Sequence, residues 1–246
     1  MDIPVSRRCN LRCQYCLTGR GEGSNGALTE PGAAALEERV RRAVESGVSA
    51  FRLTGGEPLL REDIVELVST LARIPGVEEL HLTTNGVLLG QYAWELKKAG
   101  LTGLSVHVDT LDRETYAGLT GGGDLDMVAD GLAAAETAGF GPLRLSVALT
   151  EGLNEEDLLT FVQLTLNEEI EICLSEELLS CGEKEKGWPF LSSEEIRSRL
   201  PGAAEEGPGA DDGPVCLRYP GAPGRIRLAG RRGCGEEKEE KGGDVL

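Results

Sequence analysis

Cys9, Cys13 and Cys16 stand in the run SRRCNLRCQYC, with three and then two residues between them. A loop this short can wrap three thiolates around one side of an iron–sulfur cube. Cysteine thiolate is the usual ligand of a [4Fe–4S] cluster, which has four irons. Three protein ligands leave one iron open to a substrate or cofactor, and that distinguishes a chemically active cluster from one that only carries electrons. Zinc is the competing use of such thiols, but a structural zinc wants a fourth protein ligand. The two histidines of the chain, His81 and His107, are far from the loop in sequence. Disulfide pairing is disfavoured by the odd total of seven cysteines.

Two further motifs carry chemical groups. LTGGEPLL spans residues 53–60. Gly55 and Gly56 let backbone approach a ligand where a Cβ would collide, Glu57 offers a carboxylate to an ammonium group, and Pro58 fixes the exit from the turn. Taken alone, this is an ordinary Gly–Gly turn between strand and helix. LTTNG, residues 82–86, ends another strand, where Thr83 and Asn85 would aim a hydroxyl and an amide at a shared site. Its plain alternative is an Asn–Gly turn.

The elements that must position these motifs alternate along the chain. Residues 3–6 read as a strand entering the cysteine loop, and 19–27 as a polar, Gly-rich stretch. Helical periodicity over 30–45 puts Ala33, Leu36, Val40 and Val44 on one side. Strands are expected at 50–53, 79–83, 104–108, 143–149 and 170–174. Helices are expected at 61–71, 89–98, 113–119, 127–138 and 155–166. This alternation predicts an α/β fold with a parallel sheet, curled by right-handed crossovers. Six strands are countable, against eight in a complete barrel, and in either form the chemistry belongs at the strand C-termini. Residues 179–246 read as a linker-like extension: PGAAEEGPGADDGP as a linker or mobile loop, GRIRLAG as one short strand or turn, EEKEEKGGDVL as a solvated acidic tail.

Composition narrows the class. At 246 residues and 40% hydrophobic content, one domain with a real core is expected. Aromatics make up only 4%, so that core must rest on aliphatic side chains. The formal net charge of −17 argues against nucleic acid or an anionic membrane as a partner, while leaving room for a local cationic pocket. No apolar run reaches the ~20 residues of a membrane span. Cytoplasmic residence, where thiols stay reduced, is the expectation.

The cysteine run, the GGEP turn and LTTNG together resemble the radical S-adenosylmethionine (SAM) family. The resemblance implies a partial (β/α)6 TIM-like barrel over 1–178, and the strand count fits it. It implies a [4Fe–4S] cluster on Cys9, Cys13 and Cys16, whose open iron takes SAM and whose electron cleaves it to a 5′-deoxyadenosyl radical. Tyr15, Gly55, Gly56, Glu57 and Asn85 would bind SAM.

More widely, FRLTGGEPLLRED, LTTNGVLL, VHVDTLDRETYAGLT, RLSVALTEGLNEEDLLTFVQL and IEICLSE resemble the GTP 3′,8-cyclase family of molybdenum cofactor biosynthesis. That likeness implies GTP as substrate, an electron donor such as flavodoxin or ferredoxin, and the next enzyme of molybdopterin synthesis as a partner. Substrate contacts would come from Arg52, Thr83, Arg144, Arg225 and Arg227, since arginine binds phosphate bidentately. Several positions depart from the family. Asp2 stands near the place of a substrate arginine, Cys173 replaces another, His107 replaces a serine beside SAM, and Ala50 replaces a basic residue. A second cluster would rest on Cys216 and Cys234, with Cys181 the one further candidate, and Pro220 and Pro223 fall where a cysteine pair belongs. Two alternatives therefore stay open: a paralogue acting on a peptide or nucleoside, and a truncated, non-catalytic partner subunit.

Overall fold

A computed structural model describes residues 1–16, 30–175, 190–206 and 215–229. The expected Gly-rich stretch, the middle of the expected linker, the acidic tail, Cys181 and Cys234 lie outside the described residues.

Strand β1 (Asp2–Ser6) enters the cysteine loop, and five β/α steps follow. They are α1 (Ala33–Glu45), β2 (Ala50–Gly55), α2 (Ile64–Ala72), β3 (Glu79–Thr84), α3 (Leu89–Ala99), β4 (Gly103–His107), α4 (Arg113–Thr120), α5 (Leu125–Thr137), β5 (Leu143–Val147), α6 (Leu158–Asn167) and β6 (Ile170–Ser175). Each predicted strand and helix is present, with ends moved by a few residues. Helix α1 starts after Pro31 and Gly32, and the predicted helix 61–71 starts only at Ile64. A single 3₁₀ turn, Pro58–Leu60, precedes it, and the buried Arg61 bends back to the carbonyls of Val5 (3.1 Å) and Pro31 (2.8 Å).

The expectation for the C-terminal region needs correction. After helix α7 (Ser193–Ser198) come β7 (Ala204–Glu205), β8 (Val215–Arg218) and β9 (Arg225–Ala229). The sheet order is β1-β2-β3-β4-β5-β6-β9-β8-β7, with β9 parallel to β6 and the last two antiparallel. GRIRLAG is thus the seventh parallel strand of the sheet, not a lone strand or turn in an extension. Leu191, Ile196, Leu200, Leu217, Ile226 and Leu228 join the main core cluster. The Pro- and Gly-rich texture hid this because the apolar positions are few and widely spaced. Helix α7 did carry a readable signal, the capping box of Ser192 and Glu195.

The sheet has two unlike faces. Ile3, Leu53, Leu82, Val106, Leu145 and Ile172 point to the helices and are at most 1% exposed. Register places Arg52 beside His81, Thr83 beside Ser105, and Arg144 between Ser105 and Glu171 on the opposite face. Side chains alternate along a strand. A parallel sheet covered on both sides by apolar layers would show a near-continuous apolar run instead. The alternation here means that the inner face is kept polar for use.

Strand β9 is held close to β6 by Gly224, where a Cβ would lie 2.6 Å from the carbonyl oxygens of both Glu168 and Ile170. Gly224→Ala is therefore expected to destabilise the whole domain by ~1–3 kcal/mol. Urea unfolding followed by circular dichroism checks this. An unchanged midpoint would mean that β9 is not integral to the fold.

Candidate active site

The functional groups gather where β1 to β5 end. A cavity of about 600 Å³, counting its open mouth, is lined by Cys9, Cys13, Tyr15, Cys16, Gly56, Thr83, Asn85, His107, Asp109 and Tyr116, among others.

The cysteine loop is fixed from two sides. On one, Gly56 N donates to Ser6 O (2.9 Å) and Glu57 N to Arg8 O (2.7 Å). The two glycines are needed for this contact. A Cβ on Gly55, whose φ is +141°, would lie 2.1 Å from Ser6 O, and one on Gly56 would lie 2.4 Å from Arg8 O. The sequence reading had these glycines admitting a ligand; they admit the backbone of the cysteine loop, and only Gly56 also lines the cavity. On the other side, Arg12 N and Gln14 N each donate at 2.9 Å to the last carbonyls of α4, those of Thr120 and Leu119.

Glu57 is fully buried. Its Oε1 accepts from Leu59 N (2.9 Å) and Thr84 Oγ1 (2.8 Å), and its Oε2 from Asn85 N (2.7 Å). Three of the roughly four acceptor positions of a carboxylate are thus used internally. Glu57 ties the GGEP turn to the end of β3 and holds Asn85 in place. Asn85 Nδ2 donates to Asn10 Oδ1 (2.8 Å) and lies 3.9 Å from Cys9 Sγ. Burial pushes Glu57 up from the ordinary 4.5 to about 7, against the hydrogen bonds that favour its charge.

Tyr15 is buried edge-on to His107 and Phe190. Its hydroxyl donates to Asp109 Oδ2 and lies 2.9 Å from His107 Nε2. Asp109, which sequence reading passed over, is the hub here. Its Oδ1 accepts from Ala148 N (2.7 Å) and its carbonyl from Asn154 Nδ2 (2.6 Å), so it joins the ends of β4 and β5 to the loop. Burial opposes charge on His107, yet Asp109 beside it raises its pKa above the ordinary value. The DTLD segment after a strand was the available signal, since a buried aspartate at a strand end needs several donors.

The arginines expected to contact substrate all lie on the inner face, already engaged. Arg52 grips Asp2 with two bonds, Nε to Oδ1 (2.9 Å) and Nη2 to Oδ2 (2.6 Å). Glu171 on β6, 2% exposed, accepts from Arg144 Nε (2.5 Å), Arg225 Nε (2.6 Å) and Arg227 Nη2 (3.4 Å). Burial alone would push Glu171 up, but the guanidiniums outweigh it and hold it below the ordinary range. Three cations on one anion leave a formal surplus of two positive charges. Arg227 also shares a register row with Cys173, Ser146 and His107, which connects this group to the cavity.

The thiols are suited to a cluster. Burial pushes Cys9 and Cys13 above their ordinary pKa, so they stay neutral until cations compensate. Leu11, Leu119 and Ala148 pack with Cys13 and Cys16 to keep the wall apolar. The hydroxyl of Tyr116 is buried at the same wall with no hydrogen-bond partner among the described residues. Among the described residues, no three His, Cys, Asp or Glu side chains converge as a single-ion site. A cube ligated at three separate irons asks for no such convergence. Cys216 sits on β8 opposite Arg227, without a set of ligating neighbours among the described residues.

Residues 3–165 match the Radical SAM superfamily. A GTP 3′,8-cyclase of Alkaliphilus metalliredigens is 36% identical over 229 residues, covering 92% of this chain and 71% of the relative. One of Moorella thermoacetica is 37% identical over 233 residues, covering 95% and 71%. The solved structure of Streptococcus suis SuiB bound to S-adenosylmethionine superposes with a TM-score of 0.59 at 19% identity, over 76% of this chain and 43% of that one. The SuiB likeness is one of fold, and this chain spans less than half of that protein's length.

The pH prediction follows from Glu57. Between 4.5 and about 7 the folded chain keeps a proton that the unfolded chain has released, so stability falls as pH rises through that window. The loss amounts to roughly 3 kcal/mol. Urea midpoints measured from pH 4.5 to 7.5 are expected to fall more steeply for the wild type than for Glu57→Gln. Parallel curves would contradict the protonated state assigned to Glu57.

Proposed function

We infer that the chain, which belongs to the radical SAM superfamily and within it to the GTP 3′,8-cyclase family, holds a [4Fe–4S] cluster on Cys9, Cys13 and Cys16 and acts on GTP in molybdenum cofactor biosynthesis. The observation that carries this is the single cavity shared by three thiols, the GGEP turn and the end of β3, joined by one sheet row to an arginine group. When bound, the cluster and SAM supply reductive cleavage of the sulfonium and hydrogen abstraction from the substrate.

The chain's own residues prepare that chemistry. The loop presents three thiols from a backbone pinned on both sides, which keeps their spacing when charge changes. Gly56, Asn85 and Thr83 offer backbone and side-chain polar groups to the amino acid part of SAM. Glu57 acts mainly by holding Asn85 and retains one acceptor position of its own. Tyr15, fixed by Asp109, forms an aromatic wall for the adenine. Apolar neighbours keep water from the reactive centre, which protects radicals from quenching.

Arg144, Arg225 and Arg227 receive the triphosphate. Glu171 uses Nε of Arg144, both Nε and Nη2 of Arg225, and Nη2 of Arg227, leaving the remaining N–H groups, Nη1 of Arg225 among them, to an anion. Arg52 is a weaker candidate, because Asp2 already satisfies it bidentately. A flavodoxin or ferredoxin would supply the electron, as expected of a cytoplasmic enzyme. Within the described residues, no helix is long and apolar enough to cross a membrane.

Anaerobically reconstituted protein with SAM, reductant and GTP is expected to yield 5′-deoxyadenosine and a cyclised nucleotide. Arg225→Ala should raise KM for GTP ~10–100-fold, the worth of one charge-assisted contact. SAM cleavage without a nucleotide product would sink the GTP assignment and favour the paralogue with another substrate. Four bound irons with no SAM cleavage would favour the non-catalytic subunit.

A further inference from the structure

Tyr116 is the group at this site that the roles above do not use. It lies on α4, 1% exposed, and lines the cavity together with the three cysteines. Its hydroxyl is buried and has no hydrogen-bond partner among the described residues. A buried hydroxyl left unmade costs ~1–3 kcal/mol, so a purely packing role would be better served by phenylalanine.

The ring has little room to turn toward solvent. Helix α4 is fixed at its start, where Asp112 accepts from Thr115 N (2.8 Å). At its end, Thr120 Oγ1 donates to Tyr116 O (2.6 Å) and accepts from Gly123 N (3.0 Å). Gly123 lies so close that a Cβ there would be 2.9 Å from Tyr116 Cε1 and 3.0 Å from Leu11 Cδ2. The phenol is therefore clamped beside the cysteine loop by the same helix end that holds Arg12 and Gln14.

The nearby carboxylates already take three contacts each, and neither takes the phenol. Asp109 takes Tyr15, His107 and Ala148, and Glu57 takes Leu59, Thr84 and Asn85. Burial pushes the phenol's pKa up, and negative charge at Cys13, Asp109 or Cys9 would push it further, so the hydroxyl keeps its proton as a donor. A cluster of thiolates and sulfides is an acceptor-only surface, which is what a lone donor at this wall lacks.

We propose that the Tyr116 hydroxyl donates a hydrogen bond to a sulfur of the iron–sulfur cluster and thereby raises its reduction potential. This rests on the cluster assignment above but not on the substrate. Reduction adds negative charge to the cluster, so a donor aimed at its sulfur stabilises the reduced form more than the oxidised one. Tyr116 is a tuning and positioning residue, and the aromatic ring alone does not fulfil that role.

The test compares wild type and Tyr116→Phe after anaerobic reconstitution. Iron and sulfide content, SAM affinity, and the cluster midpoint potential without SAM by EPR-monitored titration are measured together. The expected result is four irons and four sulfides in both, equal SAM affinity, and a more negative potential in the variant. An unchanged potential overturns the proposal: with weakened SAM binding the hydroxyl serves SAM, and with neither changed a water satisfies it. Should Tyr116→Phe fail to take up iron, 3-fluorotyrosine at 116 decides, since its more acidic phenol should shift the potential upward and no shift overturns the proposal. If the wild type itself binds no cluster, the underlying assignment fails instead.

Discussion

The approach of the GGEP turn to the cysteine loop is the contact on which the site depends. Two backbone hydrogen bonds, from Gly56 to Ser6 and from Glu57 to Arg8, close a gap that any Cβ at 55 or 56 would block. Side-chain contacts can be replaced by repacking, whereas a backbone–backbone approach at this distance cannot. From it follow the placement of Glu57, the clamp on Asn85, and the nearness of Asn85 to Cys9. The loop has no regular structure of its own, and its geometry is inherited from β1, β2 and α4.

The inner face shows how an acidic chain keeps a cationic pocket. With a net charge of −17, long-range attraction for an anion is absent, so binding must come from short-range geometry. Glu171 supplies this by drawing three guanidiniums from two flanking strands onto one buried carboxylate. A buried charge left alone would cost several kcal/mol, which makes each partner necessary to the others. The surplus positive charge stays local, where salt screens it least.

The parts legible in sequence were those whose signal is local. The cysteine spacing, the GGEP turn and the β/α alternation each sit within a dozen residues, and the structure brings them to one end of the sheet. What escaped depends on contacts between distant segments. Asp109 carries no local signature of its partners, which lie at Tyr15, Ala148 and Asn154. Glu171 read as one more acid among 42, and only the register with Arg144 and Arg225 reveals it. The place of β9 was missed for a similar reason: parallel pairing with β6 requires a long return through α7 and β8, which no short window displays.

The departures from family pattern fall into place by their position on the strands. Asp2, at the edge strand, neutralises Arg52 directly, while Glu171 and Cys173 sit one strand from the arginines of β9. Asp2 lies at the β1 edge, Ala50 at the start of β2, His107 at the end of β4 against Tyr15, and Cys173 on β6, whereas the three cysteines, the GGEP turn and the end of β3 keep the family pattern. Groups this far apart, with no shared partner, contribute nearly independently. The contacts around the cysteine loop can thus persist while the arginine group around Glu171 changes, because the two halves are connected through the sheet. The row from His107 through Ser146 and Cys173 to Arg227 is where they meet, and it is the strand register, set by backbone pairing, that fixes the spacing between the two halves.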